Sequence, residues 1–242
     1  MRLTRVYVPG PLAGRRCTVE GDAAHHIVRV LRLGTGDPLI VFDGEGREYE
    51  GRIQAIDKDS VAVTLGEGLL VDRESPLPLT LAQGVPRGER MDWVVQKATE
   101  LGVSHLVPVL TERSVVRLDG RQALSKRRHW QRIAIAACEQ SGRTRVPEVA
   151  TPISLAEFLR GLAPAGTRLL LSPQGATALE TLATPEGALI VLIGPEGGLT
   201  EGEQRAAGDR GFHALRLGPR VLRTETAALA ALALLQHRFG DL

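Results

Sequence analysis

Two stretches near the end of the chain concentrate groups able to hold a ligand: LIVLIGPEGGLTEGE, around Gly194, and LGPRVLRTETAALAAL, around Gly218. Each is an apolar run that breaks at a Gly-Pro pair and restarts as a helix. In the first, Gly194, Gly197 and Gly198 allow sharp turns and close approach to a bound molecule with no Cβ in the way, and Glu196 sits among them. Thr200 and Glu203 form a T-x-x-E capping box, which starts a helix with free N–H donors beside the loop. In the second, Gly218 and Pro219 break the chain, Arg220 and Arg223 follow, and Thr224, Glu225 and Thr226 open the last helix. Threonine suits the N-cap there, and glutamate suits the positive end of the helix dipole.

Glycine loops ahead of helices hold phosphates in many nucleotide sites, but no G-x-x-x-x-G-K-[ST] and no strand-following G-x-G-x-x-G is present. Two loops of this kind favour one shared ligand pocket over a pair of merely capped helices. The 6 His and 2 Cys show neither H-E-x-x-H nor paired-Cys spacing, so no metal is expected. Cys17 and Cys138 belong to no C-x-x-C pair and are expected as buried free thiols.

The elements that must present these loops alternate between strand and helix. From Leu79 onward LTLAQG, HLVPVL, RLLLS, ALIVLI and HALRL are compact apolar strands. Between the first two, Met91, Val94, Val95, Ala98 and Leu101 recur at helical spacing up to a stop at Gly102. A long basic helix is expected from Arg121 to Ser141, and a last, nearly all-apolar helix runs through TAALAALALLQHRF. Such alternation implies an α/β fold with a largely parallel sheet, whose ligands sit beyond the carboxyl ends of the strands. Before the proline-bearing VDRESPLP segment the chain reads differently. PLIVF, a turn at Asp43 to Gly46, the alternating REYEGRIQAI and SVAVTL are short strands, interrupted by a helix ending near Gly34. They suggest a small barrel, giving two domains, 1–72 and 73–242.

With 43% hydrophobic and 24% charged residues over 242 positions, the chain has ample core and no signature of disorder. The longest late apolar run, Ala227 to Leu235, is far short of the ~20 residues of a membrane span, so a soluble, cytoplasmic protein is expected. The net charge of +2 hides a local excess: Arg113 to Arg145 carries 9 basic residues against Asp119 and Glu139, which is +7. That run is either a solvated helix face or a phosphate-contacting surface.

IGPEGGLTEGE together with LGPRVLRTETAALAAL resembles the SPOUT class of methyltransferases. Within that class the chain is similar to the bacterial family that methylates N3 of a uridine in the 16S RNA of the small ribosomal subunit. The similarity extends to RVYVPGPL, HHIVRVLRLGTGD, KATELGV, EQSGRTRVPEV and the closing HRFGDL. It implies a C-terminal SPOUT sheet with a trefoil knot, an N-terminal PUA-like β-barrel for RNA, a homodimer, and S-adenosyl-L-methionine as cofactor.

The resemblance assigns Gly194, Pro195, Glu196, Gly197, Leu217 and Gly218 to the cofactor pocket, with Leu222, Arg223, Thr224, Thr226 and Ala227 completing it. Uracil N3 carries a proton that must leave, which requires a base or a cation stabilising the anion; Arg223 and Glu225 are the catalytic candidates, with Glu196 and Arg143 behind them. The structural alternative is that Glu225 favours its helix N-terminus and Arg223 pairs with it. Arg2, Arg5, Arg29, Arg32 and Arg143 are the expected RNA-binding residues, along with the basic run; His25 and His26 are expected to be structural or exposed. At 3% aromatic content the chain cannot stack many bases, so shape and phosphates should dominate recognition. A ribose 2′-hydroxyl methyltransferase of the same class usually carries an Asn near an Arg in its first motif, and this chain contains no Asn. A non-catalytic RNA-binding or ribosome-assembly factor is the remaining alternative.

Overall fold

The computed structural model of the chain describes residues 3–12 and 14–242. It divides into two compact units, one of residues up to Glu74 with Cys138–Val146, the other of Ser75–Ala137 with Pro147–Leu242. None of the described helices is long and apolar enough to cross a membrane.

The first unit is a five-stranded sheet in the order β1-β3-β4-β5-β2, built from β1 (Arg5–Tyr7), β2 (Arg16–Glu20), β3 (Pro38–Phe42), β4 (Arg47–Ile56) and β5 (Ser60–Leu70). Strand β1 runs parallel to β3, and the other pairings are antiparallel. Alternation sets the inner face: Tyr49 and Ile53 of β4 and Val61, Val63 and Leu65 of β5 are buried, whereas Glu50, Arg52 and Thr64 face out. Ile27, in the π-turn that continues α1 (Gly21–His25), closes this core with Leu39 and Val41. The β3–β4 turn forms because the Asp43 carboxylate accepts the N–H groups of Glu45 at 2.8 Å and Arg47 at 3.0 Å.

Residues Cys138–Val146 act as a strap on this unit. The Gly46 N–H donates to Thr144 O and the Val146 N–H to Gly44 O, both at 3.2 Å, and Thr144 Oγ1 donates to Val71 O at 2.6 Å. Two expected RNA contacts are redirected here. Arg143 is 5% exposed, with Nε donating to Glu74 at 3.0 Å; Arg5 is 9% exposed, paired with Glu48 at 2.5 Å and donating to Arg143 O at 3.2 Å. Guanidinium groups so buried and paired are committed to the packing of this unit rather than offered to phosphates. Arg29 and Arg32 are exposed, as are His25 and His26, and Arg2 lies outside the described residues. Both thiols are free; burial pushes Cys17 up to about 11 and Cys138 up to about 12, which leaves them unreactive at neutral pH.

Arg5→Ala is therefore expected to cost about 3 kcal/mol in denaturant unfolding, because it leaves the Glu48 carboxylate short of its buried partner. Unchanged stability with weakened RNA binding would restore the phosphate role. Burial alone raises the Glu48 pKa, but hydrogen bonds and charge from Arg73 and Arg5 outweigh it and hold the carboxyl below its ordinary range. The folded value being depressed, this contribution is present above the unfolded pKa near 4.5 and is lost as pH falls through the folded one. Urea titrations from pH 6 downward should show it, and Arg5→Ala should flatten that dependence.

The second unit is an eight-stranded, all-parallel sheet. Its strands are β6 (Leu79–Gly84), β7 (His105–Leu110), β8 (Glu148–Val149), β9 (Ile153–Ser154), β10 (Thr167–Leu171), β11 (Thr177–Ala178), β12 (Leu189–Ile193) and β13 (His213–Arg216). The order is β11-β13-β10-β12-β6-β7-β8, with β9 also on β7. Successive residues serve opposite faces: Leu169 and Val191 join the core under α2 (Arg90–Glu100) and α6 (Thr224–Phe239), where Val94, Val95, Ala228, Leu232 and Leu235 are buried. Leu170 and Leu192 join the core under α4 (Leu155–Arg160) and α5 (Glu201–Asp209), with Phe158, Ala207 and Phe212. Helix α3 (Gly120–Ser141) begins in this unit and ends in the first. Strands β8, β9 and β11 and helix α4 were not foreseen. The strands have two residues each, below any periodic signal, but α4 opens on a Ser154–Glu157 capping box legible as S-x-x-E.

Candidate active site

Strands β12 and β13 flank β10, and all three end at the same edge of the sheet. The two glycine loops thus leave the sheet on either side of β10, whose own continuation, Leu171 to Gln174, forms the floor between them. The result is a cleft of about 660 Å3 lined by both loops, by Ile193 and Leu170, and by Arg90 and Arg113. Pockets of this size and mixed lining suit a molecule of cofactor dimensions.

The first loop is held from several directions. The Gly198 N–H closes a turn on Pro195 O at 2.8 Å, with Gly198 at φ +67°. Thr200 caps α5 as anticipated: its Oγ1 accepts the Glu203 N–H at 3.2 Å, and Glu203 Oε2 accepts the Thr200 N–H at 2.9 Å. Glycine at 194 is also required by the loop itself, since a Cβ there would lie 2.9 Å from Gly198 C and 3.0 Å from Leu199 N. Arg113, expected in the RNA-facing run, instead donates Nη1 to Gly197 O at 2.8 Å and buttresses the loop.

Thr224 departs from its expected job. Arg223 occupies the N-cap position of α6, and Thr224 turns inward: its Oγ1 donates to Gly194 O at 2.6 Å and accepts from Gln83 Nε2 at 2.9 Å. Gln83, fully buried at the end of β6, also donates to Gly84 O at 2.9 Å. One hydroxyl therefore ties the second loop to the first and to β6. Thr224→Val keeps the shape and removes both bonds, so it should cost about 2 kcal/mol of stability and weaken ligand binding in the cleft about tenfold. Chemical denaturation and titration calorimetry on the same preparation read the two effects.

Of the residues expected at the pocket, Gly194, Pro195, Glu196, Gly197, Leu217 and Gly218 line the cleft, as do Leu222, Arg223, Thr224 and Ala227. Thr226 does not: two residues after Thr224, it lies some 200° round the helix and is exposed. Arg223 is exposed at the cleft wall. Glu225 does not pair with it; Glu225 Oε1 lies 3.7 Å from Arg90 Nε, and Oε2 is buried without a hydrogen-bond partner. Glu196 accepts the Arg87 N–H at 2.9 Å and pairs with Arg90. Burial raises its pKa, but hydrogen bonds from the Arg87 and Glu196 backbone N–H groups and from Arg90 bring it below the ordinary range, so this carboxylate makes a poor proton acceptor. Sequence reading missed Arg90 and the β10 continuation; the latter could have been found as a third strand ending at the same edge.

Residues 73–236 match the family described as RNA methyltransferase domain, and residues 19–66 match the RNA methyltransferase PUA domain. The ribosomal RNA small subunit methyltransferase E of Bacillus subtilis is 36% identical over 229 residues, covering 91% of this chain and 90% of that protein. The chain belongs to the ribosomal RNA small subunit methyltransferase E family. A solved member from Neisseria gonorrhoeae, bound to S-adenosylmethionine, is 38% identical at a TM-score of 0.91 over 100% of both chains. A methyltransferase from Legionella pneumophila, solved with the same cofactor, is 40% identical at a TM-score of 0.95, also over 100% of both. Within this family's methyltransferase domain fall all the cleft residues, from Arg90 to Ala227; the five-stranded sheet carries the PUA match.

Proposed function

We propose that this chain methylates 16S ribosomal RNA of the small subunit at N3 of a uridine, with S-adenosylmethionine as donor, working as a homodimer in the cytoplasm. The observation that carries the reading is the cleft at the ends of β12, β10 and β13, walled by both glycine loops, in a chain of this family. The residues fit the donor. Backbone groups of Gly194 to Gly197 and of Leu217 to Leu222 can read an adenine edge, while Leu170, Ile193 and Leu222 offer apolar faces for its ring. A Cβ at Gly218, at φ +75°, would meet nothing within 4 Å, so this bend lies open to a ligand.

When bound, the donor supplies an electrophilic methyl on a sulfonium, so the protein's work is alignment and handling of the acceptor's proton. Arg223, exposed at the wall and without an ion-pair partner among the described residues, is the candidate for stabilising the uracil anion. Glu225 lines the same cleft and is the candidate acceptor for the N3 proton. Arg29 and Arg32 on the PUA-matched unit, with the exposed Arg121, Arg128 and Arg132 of α3, are the candidates for flanking phosphates. The strand order supports a knotted passage: the chain lays down β10, then β11, then β12 beyond β10, and returns as β13 between β10 and β11.

The test is methyl transfer from labelled donor to small-subunit RNA, followed by mapping of the modified atom. Label on uracil N3 is expected. Label on a ribose 2′-hydroxyl overturns the acceptor assignment, and no label with a folded protein overturns the enzymatic reading.

A further inference from the structure

We propose that Arg90 is a positioning residue of the cleft, its one guanidinium bridging the Glu196 carboxylate of the first loop and Glu225 at the head of α6, so that the two loops keep a fixed spacing. This rests on the donor reading of the cleft. Arg90 belongs to neither loop; it stands at the start of α2, a helix pinned by buried Met91, Val94 and Val95. The same turn is pinned again, because the Asp92 carboxylate accepts Trp130 Nε1 at 2.9 Å and meets His129 Nε2 at 2.8 Å. From this platform Nη1 bonds Glu196 Oε1, and Nε faces Glu225 Oε1 at 3.7 Å. With Glu225 Oε2 unpartnered, Arg90 is that carboxylate's ion-pair partner among the described residues. Burial pulls the Glu196 pKa up, and the Arg87 N–H, its own N–H and Arg90 pull it below the ordinary range, so the Glu196 carboxylate meets Arg90 as an anion at neutral pH.

The side chains of Arg90 and Glu196 are 40% and 32% exposed, and ion pairs so placed contribute little to folding. Their effect should appear in ligand affinity, where loop spacing counts, and hardly in stability. Titration calorimetry with the demethylated product, S-adenosylhomocysteine, is the measurement, with melting temperature recorded beside it. Arg90→Ala should bind about tenfold more weakly while melting within a few degrees of the unaltered protein. Arg90→Lys should recover most of the affinity. Glu196→Gln should weaken binding a few-fold, and the R90A/E196Q double variant should be no weaker than R90A alone, because both changes remove one bridge. If R90A melts early, Arg90→Gln runs the same cycle with the side-chain bulk kept. Undiminished affinity in R90A, or effects that multiply in the double variant, overturns the role of Arg90. No heat with the unaltered protein instead sinks the donor reading, and this proposal with it.

Discussion

Arg223→Ala is expected to lower the single-turnover methylation rate, at saturating donor and RNA, by roughly 10²- to 10³-fold, with donor affinity changed only a few-fold. The size follows from what deprotonated uracil requires. Its negative charge is spread over N3 and the neighbouring carbonyl oxygens, and a fixed cation at a cleft wall stabilises it far better than mobile water does. Arg223 meets the structural conditions: it lines the cleft, it is exposed, and Glu225 is engaged by Arg90 instead of by it. Its backbone is fixed by the turn into α6, where the Ala227 N–H donates to Arg223 O at 2.8 Å. Arg223→Lys should recover part of the rate, since the charge returns without the planar fork. A different result identifies a different job: if KM for RNA rises and the saturated rate holds, Arg223 grips a phosphate. An unchanged saturated rate together with an unchanged KM for RNA in Arg223→Ala ends both assignments.

The strands that carry the cleft were legible because a parallel sheet covered on both faces is written as unbroken apolar runs. LTLAQG and ALIVLI appear as β6 and β12 at those positions, and the capping box at Thr200 forms both of its bonds. Side-chain direction was much less legible. Thr224 looked like an N-cap from its place before the helix, yet its hydroxyl turns to Gly194 and Gln83, partners 30 and 141 residues away that no local pattern connects. Arg5 and Arg143 looked like free cations for the same reason: their counter-charges, Glu48 and Glu74, lie 43 and 69 residues distant. Spacing in a sequence reports which face an element buries, but which arginine finds a buried carboxylate is decided by tertiary neighbours. Arg90 shows the same limit inside the site, one basic residue in GERMDW that matters only because two loops from the far end of the chain arrive beside it.

Gly84→Ala, a change of one methyl group outside both loops, should weaken product binding by about a hundredfold and cost about 3 kcal/mol of stability. Gly84 ends β6, and a Cβ there would stand 2.5 Å from Pro195 N, 2.6 Å from Pro195 Cδ and 2.8 Å from Gly194 C. Two of these three atoms are backbone, so no rotamer change relieves the overlap; the first loop itself must retreat by roughly 1 Å. That retreat pulls Gly194 O away from Thr224 Oγ1, whose bond is 2.6 Å, and so breaks the tie between the loops at the same stroke. Displacements of this size at a ligand-holding loop are felt as large losses because the pocket's groups act together. Gly198→Ala supplies the comparison. Gly198 sits at φ +67°, but a Cβ there meets nothing within 4 Å, so the substitution incurs backbone strain of about 1 kcal/mol and moves no neighbour. Calorimetry should therefore separate two glycines that look alike on paper, Gly84→Ala crippling the cleft and Gly198→Ala leaving it largely competent. Equal affinities in the two variants would mean that the seat of the first loop against β6 does not set the geometry of the cleft.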